Sequence, residues 1–139
     1  MKKYSINMEM SRAVCDECRS RIALKECYNN VFKIATEHIT EFRAGRWCVA
    51  YGYMTISEKL LCRHCFIIDE SDRVIDVTLP LLNSKSDAEY FVFHKFYDFD
   101  DYLRAISHDE NYPALTRYLR EQDHKFMAQA ANNGYCCIG

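Results

Sequence analysis

Two apolar, β-branched runs, Leu61 to Ile68 and Arg73 to Leu79, flank Asp69-Glu70-Ser71-Asp72, a polar cluster of turn-forming residues. That pattern predicts a hairpin. An earlier run from Trp47 to Ile56, rich in aromatic and β-branched residues, predicts a strand ahead of it. Before that strand, Cys27, Val31, Ile34, Ala35, His38 or Ile39 and Phe42 recur at spacings of three and four. They mark one apolar face of a helix from about Ile22 to Phe42, with Gly45 closing the connection. After the hairpin, Glu89 to Tyr97 is apolar on both sides, as a strand buried on both faces would be. Asp98 or Asp100 is placed to cap a helix through about Ser107. Pro113 suits the first turn of a last helix running to about Asn132, Gly134 suits its stop, and Tyr135 to Ile138 reads as a short edge strand. Helix, three strands, a further strand and two helices do not alternate as βαβ units. The expected fold class is therefore α+β, an N-terminal helix packed on a mainly antiparallel sheet with C-terminal helices.

The chain has 139 residues, 49% of them hydrophobic, enough for one ordinary core, and with only two prolines and four glycines nothing marks a linker. A single domain over residues 1–139 is expected. No apolar run reaches the length of a membrane span and no apolar segment follows Lys2-Lys3, so the expected setting is cytoplasmic, with no membrane partner. Eighteen basic against twenty acidic residues give a net charge of -2, which offers no electrostatic footprint for a phosphate backbone, so no nucleic acid is expected either. The eight cysteines, without a secretory signal, read as reduced thiols, metal ligands or one catalytic group.

Three residues carry the chemistry. Cys27 opens the apolar-periodic helix, where the positive end of the helix dipole favours a thiolate. His64 lies in the first strand of the hairpin and Asp76 in the second. A thiol needs a neighbouring imidazole to ionise at neutral pH, and the imidazole needs a third group to fix its tautomer, so the types suffice for acyl transfer. Side chains alternate along a strand, so an odd turn centred on Glu70 sets His64 opposite Asp76, with Cβ atoms roughly 5 Å apart. A four-residue loop would instead set Val77 there. Cys48 is a further thiol, but on a strand it has no helix dipole and reads as a core cysteine.

A second constellation competes for the same segment. Cys15-Asp16-Glu17-Cys18 and Cys62-Arg63-His64-Cys65 are both C-x2-C, and four thiolates, Cys15, Cys18, Cys62 and Cys65, would close a structural zinc site. The long interval between the pairs weakens that reading, and on a regular strand Cys62 and Cys65 point to opposite faces.

The segments Cys27-Tyr28-Asn29-Asn30, Trp47-Cys48-Val49-Ala50-Tyr51-Gly52-Tyr53, His64-Cys65-Phe66-Ile67-Ile68-Asp69 and Val74-Ile75-Asp76-Val77-Thr78 resemble small bacterial and phage members of the transglutaminase-like, papain-related superfamily. The resemblance covers about residues 22–79. It implies a papain-like or transglutaminase-like core with a catalytic triad of Cys27 as nucleophile, His64 as base and Asp76 as orienting carboxylate. The implied activity is that of a thiol-dependent hydrolase or acyltransferase on an amide, ester or isopeptide, with a protein, peptide or small amide or ester as substrate and no cofactor. Asn29 and Asn30, beside the backbone N–H of Cys27, are the candidates for oxyanion or substrate binding, together with Tyr51, which stands where comparable small members often carry an acidic residue. The alternatives are a non-catalytic fold relative that binds a protein or small ligand in the same cleft, and a zinc-stabilised interaction module.

Overall fold

The computed structural model describes residues 1–82, 87–110 and 112–139. Its first element is a helix, α1 (Met8–Cys18), whose N-terminus is capped by the Asn7 side chain accepting from Met10 N at 3.1 Å. Ser11, Val14, Cys15 and Cys18 form its buried stripe. The next helix, α2 (Cys27–Glu37), buries Cys27, Asn30, Val31, Ile34 and Ala35. The continuous helix expected from Ile22 to Phe42 is thus shorter and broken. Lys25 takes a positive φ of 61° and keeps the preceding residues out of helical conformation. At His38, with φ -111° and ψ 35°, the chain turns out of α2 and restarts as α3 (Ile39–Arg43). That turn brings Phe42 edge-on to Trp47, ring centres 6.0 Å apart, and against Phe99 at 5.7 Å.

The strands are β1 (Trp47–Ser57), β2 (Leu60–Asp69), β3 (Val74–Ile75), β4 (Tyr90–Phe96) and β5 (Cys136–Ile138). They form one sheet in the order β3-β2-β1-β4, antiparallel at each of these pairings, with β5 added parallel to β2. The hairpin exists, but Ile68 pairs with Val74 and Ile67 with Ile75, so its turn is odd in length and centred on Ser71 rather than Glu70. Asp69 sets that centre by accepting from the Ser71 and Arg73 backbone N–H groups through Oδ1. β3 also stops after two residues, because the next N–H, that of Asp76, donates to Ser11 Oγ of α1 instead of to β2. β4 is an edge strand, and its middle residues are only partly buried, unlike the two-sided burial expected for it.

Helices cover one face of the sheet. Val49, Tyr51, Cys65, Ile67 and Phe96 pack there against side chains of α1, α2 and α4 (Phe99–His108), and α4 is capped by Asp98 accepting from Asp100 N at 2.8 Å. On the other face Ala50, Phe66, Ile68, Val74 and Tyr90 close over Tyr4. The N-terminal segment bridges Tyr4 to Tyr90 and Ile6 to Val74, so it touches both margins of the sheet, β4 and β3. The last helix, α5 (Arg120–Asn132), does not begin at Pro113. Leu115 has a positive φ of 52°, and the Asp109 carboxylate accepts from Arg117 and Tyr118 N–H, which holds this stretch in turns. Among the described residues no helix is long and apolar enough to cross a membrane.

One feature of the sheet prepares the site. The outer margin of β2 pairs with β5 over Leu60–Cys62 and with β3 over Ile67–Ile68, and among the described residues Arg63 to Phe66 have no strand partner on that side. The start of α2 packs against β2, next to His64.

Candidate active site

Asp76 is 2% exposed, and donors surround its carboxylate. Oδ2 accepts from His64 Nε2 at 2.8 Å and from the Tyr90 hydroxyl at 2.8 Å, while Oδ1 accepts from Thr78 N at 3.0 Å. A buried carboxylate without such donors would take up a proton. Burial does push Asp76 toward neutrality, but the His64 charge and the hydrogen bonds from His64, Tyr90 and Thr78 outweigh it and hold the group below its ordinary value.

His64 is 8% exposed and lies near the rings of Phe66 and Tyr90. Because a carboxylate only accepts, Nε2 carries a proton, and Nδ1 is the ring nitrogen left for another partner. Burial opposes charge on the ring. The Asp76 carboxylate overcomes it by charge and hydrogen bond, the Cys27 thiol adds to the effect, and the ring is raised to about 10. His64 therefore holds its proton at neutral pH.

Cys27 is the first residue of α2 and 8% exposed. The first N–H groups of a helix have no intrahelical acceptor, and here Glu26, at the cap position, makes no side-chain cap bond. Its carboxylate instead accepts from Asn29 Nδ2 at 3.2 Å. The first-turn N–H groups of α2 therefore lie beside the Cys27 thiol without a side-chain cap from Glu26.

The other expected binding residues divide. Asn29 is exposed and lines a cleft of about 780 Å³. Asn30 is buried and committed elsewhere: Nδ2 donates to Ala23 O at 2.7 Å and Thr78 Oγ1 at 3.3 Å, and Oδ1 accepts from Ala23 N at 3.0 Å. It ties the approach to α2 to the residue two beyond Asp76. Tyr51 is fully buried on the helix-covered face, stacked on Tyr28, and donates its hydroxyl to Pro113 O, so it is a core residue rather than a substrate contact.

The cleft is lined by Glu26, Tyr28 and Asn29, the sequence neighbours of Cys27, and by Arg63, the neighbour of His64, but not by Cys27 or His64 themselves. Arg63 donates to Asp123 Oδ2 at 2.9 Å, to the Tyr28 hydroxyl at 2.7 Å and to Ala114 O at 2.9 Å, and Tyr53 donates to Asp123 Oδ1 at 2.6 Å. The guanidinium also lies over the Tyr28, Tyr51 and Phe93 rings.

The four-thiolate arrangement does not form. Cys15 and Cys18 are buried on α1, Cys65 is in the core beneath the helices, and Cys62 lies on the opposite face of β2, as alternation requires. Among the described residues the side chains that come together as metal donors are instead Glu17, Cys18 and His38. Two residues at the Asp76 site escaped the sequence reading. Tyr90 sat within an aromatic run that reads as core, and Ser11 belongs to a stripe at 11, 14, 15 and 18 whose helical period was available but lay under the C-x2-C pattern.

No family model matches the chain, and no curated protein or solved structure matches it.

Proposed function

We propose that this protein is a thiol-dependent hydrolase or acyltransferase with a transglutaminase-like, papain-related core, acting on an amide, ester or isopeptide in a cytoplasmic setting. The observation that carries the reading is the 2.8 Å bond from His64 Nε2 to a fully buried carboxylate, made next to the first residue of α2. A ring raised to about 10 gives His64 a definite role, that of an imidazolium which already holds the proton a thiol would surrender. Cys27 then attacks as thiolate, forming a C–S bond to the acyl carbon while the first-turn N–H groups of α2 receive the charge on the carbonyl oxygen. His64 donates its Nδ1 proton to the departing amine or alcohol. It next takes a proton from water or an acceptor amine, whose attack releases the acyl group and restores the thiolate. Asp76 keeps the ring oriented throughout. The cytoplasmic setting is supported by cysteines that all stand free.

A second reading, a non-catalytic relative that binds a ligand in the cleft, is favoured by one observation: the cleft runs beside Cys27 rather than over it. Alkylation with iodoacetamide near neutral pH, read by peptide mass spectrometry, separates the two. The reactive-thiol reading expects Cys27 to be labelled faster than Cys48, whose thiol burial pushes up, and expects His64→Ala to abolish the preference. Equal labelling of Cys27 and Cys48 in the native protein favours the ligand-binding reading.

A further inference from the structure

We propose that Cys18, His38 and Glu17 form a site for a divalent cation of the zinc class, clipping the end of α1 to the junction of α2 and α3. One donor atom from each residue lies within 4.8 Å of the other two. They join three ligand chemistries, thiolate, imidazole and carboxylate, that together suit zinc better than magnesium or calcium, which take oxygen alone. Metal–donor bonds of about 2.0–2.3 Å in a tetrahedron put donors roughly 3.3–3.7 Å apart, so closing the site takes only a small contraction. Glu17, exposed at the end of α1, is free to make it.

Two further observations point the same way. Among the described residues the buried His38 Nε2 has no hydrogen-bond partner, and Glu17 Oε1 lies 3.1 Å from it without the alignment of a hydrogen bond. An orphaned ring nitrogen facing a carboxylate is costly unless something binds both. The second observation is Glu37, whose Oε2 is 3.6 Å from Cys18 Sγ while Arg21 holds the same carboxylate at 2.6 and 2.9 Å. Glu37 thus supplies a fourth ligand through its oxygen, or an outer-shell partner. A thiolate and two carboxylates carry three negative charges, and a divalent cation with the Arg21 guanidinium brings three positive charges. The set is neutral once a cation enters and the thiol proton leaves.

The site stands independently of the chemistry proposed for Cys27, but the two share an element. α1 carries Ser11, whose hydroxyl holds the Asp76 backbone, and the cation would secure the far end of the same helix.

The test uses the full chain, stripped with a chelator and titrated with Co²⁺ and then Zn²⁺. One equivalent of Co²⁺ should produce thiolate-to-cobalt charge-transfer absorption that Zn²⁺ displaces. Cys18→Ser should abolish that absorption, and Cys15→Ser and Cys136→Ser should leave it intact. Because Cys18 is buried and its replacement can unfold α1, Glu17→Gln and His38→Gln carry the decision, with circular dichroism establishing that both remain folded. Each should weaken Zn²⁺ binding by more than the roughly 10–100-fold that loss of an outer-shell partner costs. Absence of the charge-transfer band in the native chain, or Zn²⁺ affinity unchanged in the folded Glu17→Gln and His38→Gln variants, overturns the proposal.

Discussion

Replacing Asp76 by Asn removes one charge from a buried site, and the consequence can be worked from the geometry. Asn is nearly isosteric, so Oδ1 still accepts from Thr78 N, but an amide NH2 then stands at the position of Oδ2, where it cannot accept from the Tyr90 hydroxyl or His64 Nε2. The imidazolium loses the carboxylate that offsets its burial, so the ring, raised to about 10 in the native chain, is lowered. A histidine raised from 6.5 to about 10 contributes about 4 kcal/mol of folding stability at pH 7. Orphaning one member of a buried ion pair generally costs about 3–5 kcal/mol, so two independent routes agree. The sign follows from linkage. Because His64 is raised, its share is fully present below 6.5 and is lost as pH rises through about 10; because Asp76 is lowered, its share is present above 3.8 and is lost as pH falls through its folded value. Urea unfolding of Asp76→Asn should therefore show a deficit of about 4 kcal/mol at pH 7 that narrows toward pH 10. An NMR titration of the His64 Cε1–H should move its midpoint from near 10 in the native chain to a lower pH in the variant. A deficit under about 1 kcal/mol, the size expected of an exposed pair, with an unmoved His64 midpoint would refute the buried-pair reasoning.

Tyr90→Phe removes one of the two donors to Asp76 Oδ2 and should cost about 1.5–3 kcal/mol, the range for a hydrogen bond to a charged group. Tyr90 helps hold the Asp76 carboxyl down, so its loss raises that group and should move the acid-unfolding limb to higher pH; an unmoved limb would contradict the assignment. Gly52 lies directly across from His64 in the β1–β2 pairing, at the point where the β1–β4 register shifts, and an added Cβ there would overlap the Phe91 carbonyl oxygen. Gly52→Ala should cost at least the upper end of the roughly 1–3 kcal/mol typical of overpacking, read as a lowered melting transition, because backbone rather than a flexible side chain must yield; an unchanged melting temperature would argue against so close an approach.

The elements that the sequence made legible are those whose patterns are local. Strands β1, β2 and β4 and helix α4 lie close to where alternation, β-branching and the Asp98 cap put them, and the α+β class with an antiparallel sheet follows from their order. What escaped depended on contacts distant in sequence. The break at His38 serves the packing of Phe42 on Trp47 and Phe99, and the late start of α5 depends on an Asp109 carboxylate that takes the N–H groups of Arg117 and Tyr118. Neither interaction leaves a periodicity in its own segment. Asn30 illustrates the same limit at the site: its helix position was readable, but its commitment to Ala23 and Thr78 exists only once the two segments are folded together.

The meeting of His64 and Asp76 has a more particular explanation. The hairpin register expected from a turn centred on Glu70 is displaced, and the strand meant to carry Asp76 ends at Ile75. The 2.8 Å bond forms all the same, because the displacement is by an even number of residues and alternation gives side chains a period of two. Asp76 therefore keeps the His64 face, now as a diagonal rather than a direct neighbour, close enough for an imidazole and a carboxylate to bridge. A shift of one would have turned the carboxylate away and set Val77 in its place. What then fixes Asp76 beyond the ladder is its N–H on Ser11 Oγ and its Oδ1 on Thr78 N, one contact from α1 and one from its own turn. The Asp76 backbone is thus held by a helix that begins nineteen residues before Cys27 in sequence. Mutations along α1 are therefore expected to act on His64 through Asp76, without touching the ring.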